Sequence, residues 1–494
     1  MGIIRFQLPR REFASESMLD RTYMAGLDGV PWPCQTRFTN NCLVLSRDVS
    51  ESGNFYTPWH VNGYGEVMLS TGSLMERERP YELPVELARG TVNRLRNQLA
   101  AWTFAGLSVD DQVRVRLAEA VKTMARTVTG TSGSDQRIEN ADRATGQAIR
   151  VMDLLVDQYT EHALRLRHQQ SAQLQTLYGV NLGSQPVHPT HAGDLSAAFN
   201  SAIVPMNWRN VESSSGSFSW ETVDEQIDWC ANQSVRALGG PLINMDGAGL
   251  PDWLILWEDD FEEMQSYILD YVNNVVQRYR GKVSLWNCAA RLSAVGAIQI
   301  NEEQRLNLTV RIIEQVRRWE TKAPLIVSFD QPWAEQIAQT SMEFTPLHFA
   351  DALARAGLGL SGFGLEFSLG YWPRGSITRD LLEISRQLDR WSLLGLPLVI
   401  YLTIPSSQTV DPQAKPGIQS QPCLNDRLST ASQNSLVERL VPLLLAKQCV
   451  HGIIWNQLDD TQPHDFPHGG LLDTAGTAKP TLQTLSSIRT EHVV

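Results

Sequence analysis

From about Tyr178 onward the sequence alternates short apolar runs with longer stretches of helical spacing, and this constrains the fold more than any other feature. Eight such runs follow in order: YGVNL, FNSAIVPMNW, SVRALGGPLI, KVSLWNCAA, APLIVSF, LSGFGLEF, LPLVIYLTI and VHGIIWNQL. Between them lie segments such as FEEMQSYILDYVNNVVQRYR, EEQRLNLTVRIIEQVRRWE and ITRDLLEISRQLDRWSLLG, whose apolar residues recur three and four apart. Continuously apolar strands separated by amphipathic helices are the pattern of a parallel sheet covered on both faces. Eight repeats in a region of this size predict a (β/α)₈ TIM barrel over residues 175–494.

The rest of the chain reads differently. Residues 1–76 hold short β-branched and aromatic runs, GIIRFQL, CLVLSRDV, NFYTPWHV and EVMLSTGSL, separated by polar turns such as NGYG. They predict a small β-sandwich-like or jelly-roll-like module, either carbohydrate-binding or structural. Residues 77–174 turn helical. LPVELARGTVNRLRNQLAAWTFAG is bracketed by Pro84 and Gly106, a second helix runs through VDDQVRVRLAEAVKTMARTV, and GTSGSD separates it from a third that reaches about Gln173. A helix of some forty residues would be roughly 60 Å long. It needs a partner: the barrel, the β module, or a second subunit in a homo-oligomer.

Composition removes several function classes. The formal net charge is −12, which argues against a nucleic-acid partner. No apolar run approaches the length of a membrane span. The start, MGIIRFQLPRREF, lacks the apolar core of a secretory signal, and Phe6 stands where a myristoylation motif has Ser or Thr. The six cysteines show no CxxC pair or regular spacing and read as isolated thiols, so a cytoplasmic protein is expected. With neither a Gly-rich phosphate loop nor a G-x-S-x-G elbow, no cofactor is expected.

Four stretches carry a resemblance. FNSAIVPMNWRNVESSSGSFSWETVD contains Gly216, Phe218, Trp220 and Asp224 in a G-x-F-x-W-x-x-x-D pattern. GGPLINMDGAGLPDWL has the L-P-x-W element, YRGKVSLWNCAAR follows Y-x-G-K-x-x-x-W, and the last stretch, from GIIWNQLDD, ends in a K-P tail. In this order they resemble glycoside hydrolase family 10, which implies a TIM barrel acting on an oligosaccharide or polysaccharide. Retaining glycosidases place two carboxyl groups about 5 Å apart, one a proton donor and one a nucleophile. In the family the donor is the Glu that closes the fourth-strand motif, and the alignment puts Arg291 there. The nucleophile belongs at the end of strand seven, where this chain has Thr403 or Ile404. The family's sugar-binding Lys becomes Asn207, and its strand-three His and Trp become Gly240 and Asn244. Arginine stays charged and cannot donate a proton near neutral pH.

Ligands of this fold bind where strands end and βα-loops begin. Glu366, where the family carries Gln, and Asp330 at the end of strand five are the candidate catalytic pair. The alternative for Glu366 is an ion pair with Arg291. Asn207, Trp208, Asp246, Trp286, Arg291, Trp333, Trp372, Trp455 and Asp459 are the candidate substrate-binding residues, the tryptophans because ring faces stack on sugars. His464, Asp465 and His468 match no standard zinc spacing, and no metal is expected. Two functions stay open: a glycoside hydrolase with a rebuilt site, and an inactive homologue that binds carbohydrate or another partner.

Overall fold

The computed structural model describes residues 2–8, 16–39, 42–129, 133–257, 259–292, 300–340 and 344–494. Parts of the leading MGIIRFQLPRREF segment and of the GTSGSD break lie outside these residues.

The barrel is present as expected. Strands β1 (Leu177–Asn181), β2 (Ser201–Val204), β3 (Arg236–Gly239), β4 (Leu285–Asn287), β5 (Leu325–Phe329), β6 (Gly362–Ser368), β7 (Leu398–Thr403) and β8 (Val450–Trp455) form one closed ring. All pairings are parallel, and β8 closes on β1. Each strand falls on one of the eight apolar runs, with β1 starting one residue before its run and β6 ending one residue after.

Side chains alternate in and out along each strand. Phe363, Leu365 and Phe367 of β6 pack outward in the core shared with the surrounding helices. A separate inner cluster, including Ile203, Leu238, Leu285, Ile326 and Val399, fills the barrel. The strands are buried on both faces, as the all-buried β6 and β7 illustrate, and so read as apolar runs rather than as alternation. The intervening helices carry ordinary start signals. Asn301 and Gln304 form a capping box at the head of Glu302–Trp319, and Asp380 caps Leu381–Ser392.

Ahead of the barrel, the described residues between 2 and 82 include two four-stranded sheets. Three helices follow: α1 (Leu83–Phe104), α2 (Asp111–Thr129) and α3 (Ser134–Gln170). At 37 residues α3 is about 55 Å long. Its apolar positions, among them Ile149, Met152, Leu155 and Val156, are fully covered, and its neighbours are α1, α2 and the barrel helices Leu381–Ser392 and Thr430–Ala446. The long helix thus finds its partners within the chain, which removes the reason for invoking a second subunit.

The β module docks on the barrel at the loops that follow β5, β6 and β7. Tyr23, Ala25 and Met68 form one apolar cluster with Ala338 and Ile377. The Met68 amide donates to the Thr378 carbonyl at 2.8 Å, and the Gly63 and Gly65 amides donate to the Asp426 carboxylate at 3.2 and 3.1 Å. Buried polar groups reinforce the joint. Arg379 donates to Glu335 at 2.6 Å and to the Tyr23 hydroxyl at 3.1 Å, with all three side chains shielded from solvent. Arg94 of α1 ion-pairs with Asp380 and Glu383. One side of the C-terminal rim is therefore roofed by the module.

Candidate active site

A cleft of about 1820 Å³ opens at the C-terminal end of the barrel. Inward alternation delivers one polar side chain to it from nearly every strand. They are Asn181 from β1, Asn287 from β4, Ser328 from β5, Glu366 from β6, Tyr401 from β7, and Asn456 just past β8. Asn207 and Asn244 join them from the loops after β2 and β3. Asn181 Nδ2 donates to Asn456 Oδ1 at 3.2 Å, and Asn287 Nδ2 donates to Ser328 Oγ at 2.9 Å. The buried oxygens Asn207 Oδ1 and Asn287 Oδ1 have no hydrogen-bond partner among the described residues.

Arg291 dominates the charge distribution. It directly follows the short strand Ala289–Ala290 that lies just beyond β4, and it sits in the left-handed backbone region (φ 56°), which few non-glycine residues adopt. Each guanidinium nitrogen faces a different carboxylate: Nη1 is 2.9 Å from Asp246, Nη2 is 2.5 Å from Asp465, and Nε is 3.4 Å from Glu366. Lys415 holds the other oxygen of Asp465 at 2.6 Å, and Arg374 approaches Asp246 at 3.4 Å. Since β4 and β8 stand opposite in the eight-strand ring, the pair of Arg291 with Asp465 spans the barrel mouth. Three cations, Arg291, Arg374 and Lys415, balance three anions, Asp246, Glu366 and Asp465.

The two expected catalytic carboxyls differ in environment. Burial pushes Glu366 up from the ordinary carboxylate range, partly offset by Arg291. Asp330 is pushed up to about 7 by burial and then by the negative charge of Glu366, with Arg291 only partly compensating. Its Oδ1 is buried without a hydrogen-bond partner among the described residues, and it does not line the cleft. Burial acts upward on Asp465 as well, yet Arg291 and Lys415 together hold its carboxyl well below the usual range.

Most of the expected aromatic platform lies elsewhere, and strand parity is a principal reason. Trp286 and Trp455 occupy outward positions. Trp286 is wholly buried near Gly239, and Trp455 is buried with its Nε1 donating to the Gly469 carbonyl at 3.0 Å. Trp208 stacks on Tyr271 at 4.7 Å and donates to Glu212 at 2.7 Å. Trp333 is buried in the barrel core against Phe367, ring centres 5.0 Å apart, with the Arg379 guanidinium 4.3 Å from its own ring centre. Trp372 packs against the module–barrel cluster. None of these five lines the cleft. Asn207, Asp246 and Arg291 do meet at the mouth. Asp459 lines the cleft too, but its Oδ1 caps the following turn, accepting from the Thr461 and Gln462 amides and the Thr461 hydroxyl.

Asp411, Asp460 and His464 bring potential metal ligands within 4.8 Å of one another. Their charges are already met. Lys479 pairs with Asp460 at 2.6 Å, while Asp411 accepts from the His468 amide at 2.8 Å and faces His464 Nε2 at 3.0 Å. The cluster ties the loop carrying Asp465 to the loop after β7. Among the described residues, no helix is long and apolar enough to cross a membrane.

Sequence reasoning missed Asn181, Asn287, Ser328, Tyr401, Asn456 and Lys415, and weighed Asp465 only as a metal ligand. The first five stand at inward parity with Glu366, so the period of two that placed Glu366 could have found them. Asp465 and Lys415 sit on long loops whose meeting no local pattern announces.

Residues 170–290 match the family model for glycosyl hydrolase family 10. The endo-1,4-beta-xylanase B of Thermotoga neapolitana is 20% identical over 198 residues, 40% of this chain, and the chain spans about half (54%) of that relative's length. Among solved structures, native xylanase 10B from Thermotoga maritima is 14% identical and covers 66% of this chain and 98% of its own, with a TM-score of 0.49. The family 10 enzyme from Paenibacillus barcinonensis is 17% identical, covers 65% and 97%, and has a TM-score of 0.48. Xylanase 10B from Thermotoga petrophila RKU-1, in complex with xylobiose, is 16% identical, covers 66% and 97%, and has a TM-score of 0.49. Over residues 170–290, then, the chain is similar to glycosyl hydrolase family 10.

Proposed function

We propose that this barrel binds a neutral oligosaccharide and does not cleave it by the paired-carboxylate route. The observation that carries the reading is the three-way tie of Arg291 to Asp246, Glu366 and Asp465. A glycosidase needs two carboxyl groups free to flank a glycosidic bond. Here Glu366 is engaged by a permanent cation, and that cation stands at the position aligned with the family's proton donor. Thr403 or Ile404 at the aligned nucleophile position supports the same conclusion. The charge balance of the mouth and its ring of carboxamides and hydroxyls favour an uncharged, hydroxyl-rich ligand. The relative named as an endo-xylanase makes xylo-oligosaccharides the first ligands to try. In affinity electrophoresis and reducing-end assays with xylan, the full chain should be retarded while releasing no reducing ends above a blank. Turnover at the level of an ordinary xylanase would overturn the proposal.

One observation favours a second reading. An Asp330 carboxyl pushed up to about 7 is half protonated at neutral pH, the state a general acid needs. On that reading the chain hydrolyses a glycoside, and Asp330→Asn and Glu366→Gln each abolish turnover while leaving binding intact.

A further inference from the structure

At the inner end of the cleft four neighbouring strands form a polar recess. Asn287, Ser328, Glu366 and Tyr401 all line it. Glu366 and Tyr401 are direct cross-strand partners, and Ser328 is paired with Gly364. Gly364 leaves the space. A Cβ there would lie 2.6 Å from Ser328 Cβ and 2.7 Å from the Tyr401 ring. Asn287 Nδ2 donates to Ser328 Oγ at 2.9 Å and to the Tyr401 hydroxyl at 3.4 Å. Both hydroxyls accept from the carboxamide, which leaves their own protons to be donated elsewhere. Asn287 Oδ1 is buried and unpartnered among the described residues. The recess thus offers two hydroxyl donors, one orphaned carboxamide acceptor and one carboxylate held from one side by Arg291. Beneath it, Ile203, Leu285 and Ile326 fill the barrel, so there is no way through.

A burial-orphaned acceptor costs free energy until a ligand donor meets it. An apolar ligand group would leave it orphaned, and an anion would face Glu366 and Asn287 Oδ1 with Arg291 already committed. A sugar ring edge, whose hydroxyls each donate and accept, meets every group. The closed floor and the bar formed by Arg291 and Asp465 across the mouth leave a chain no path for running onward.

We propose that this recess holds the terminal ring of a glycan, so that the cleft recognises chain ends and not chain interiors. The proposal rests on the glycan-binding reading of the cleft. It makes Asn287, Ser328 and Tyr401 the specificity-determining residues.

The test is titration calorimetry on the full chain. The probes are β-1,4-linked tetramers of xylose, glucose, mannose and N-acetylglucosamine, and the matching soluble polymers. For the probe that binds, affinity per chain should be the same for tetramer and polymer. Tyr401→Phe and Ser328→Ala should each weaken it about tenfold, the scale of one hydrogen bond lost in a polar site, with unchanged melting temperature. Either variant alone suffices if the other does not fold. Affinity per chain that rises with polymer length, or wild-type affinity in both variants, overturns the chain-end proposal while leaving glycan binding standing. A wild-type chain that binds none of these glycans removes both.

Discussion

Two halves of one barrel mouth, built from the same strand–helix repeat, have opposite fates. On the side of β5 to β7, the loops carry Glu335, Trp372 and Arg379, and the β module lies on them, covering an aromatic and an ion pair. On the side of β1, β2 and β8, strand ends and loops carry Asn181, Asn207 and Asn456, and the cleft stays open. Arg291 and Asp465 mark the line between them. Groups that look like binding residues in sequence become structural where a second domain covers them, and plain asparagines become candidate ligand contacts where nothing does.

The largest effect that could break this comparison is at the roof. Arg379→Met leaves Glu335 charged and unpaired in the joint, and removing one partner of a buried pair costs about 3–5 kcal/mol. Urea denaturation should show a loss near the upper end. A loss below about 1 kcal/mol would mean that this pair, and the bond to Tyr23 that it orients across the joint, contributes little to holding the roof.

Asp330 gives the next effect through pH. Its folded acidity lies above the ordinary value of 3.8, at about 7. The folded state therefore holds a proton that the unfolded state releases between these values. Its contribution is fully present below about pH 4 and is lost as pH rises through about 7. The gap between 3.8 and about 7 amounts to roughly 4 kcal/mol. Asp330→Asn should flatten the profile, stabilising the protein at pH 8 by up to that amount and changing little at pH 4. Parallel profiles for the two proteins would remove the argument that Asp330 is buried uncompensated.

Arg291→Met comes third. At pH 7 it leaves Asp246, Glu366 and Asp465 facing one another, at a cost of about 3 kcal/mol. The deficit should shrink as pH falls, because Glu366 and Asp465, both held down by Arg291 in the wild type, then protonate more readily. Asp465 itself works in the opposite sense to Asp330. Held below its ordinary range, it stabilises the wild type above that range, and this is lost as pH falls through its folded value. A deficit independent of pH between 4 and 7 would show that the three carboxylates are not coupled through Arg291. The smallest effect lies in the open half. Asn181→Ala, at a partly exposed position, should change stability by about 0.5 kcal/mol or less yet weaken glycan binding several-fold in calorimetry.

How much of this was legible in the sequence follows from the range of the forces involved. The eight strands were visible because burial on both faces makes each an uninterrupted apolar run. Arg291 and Glu366 were singled out because the resemblance to a known family aligns them with its motif positions, and their ion pair was one of the two outcomes foreseen. The tryptophans misled because stacking chemistry was weighed without parity: Trp286 and Trp455 each sit one residue before an asparagine, Asn287 and Asn456, that lines the cleft. The roof over Trp372 could not be read locally, since it depends on Tyr23 and Met68 meeting residues some 300 positions away. The same holds for Asp465, which meets Arg291 and Lys415 from two other parts of the chain.

The most direct test of the central claim is a crystal structure of the full chain with a bound tetrasaccharide. The account predicts sugar rings along Asn181, Asn207 and Asn456, an end ring against Asn287, Ser328 and Tyr401, and an intact pair between Arg291 and Asp465. A glycan bound with Arg291 displaced from Asp465 and a glycosidic oxygen between Asp330 and Glu366 would contradict it.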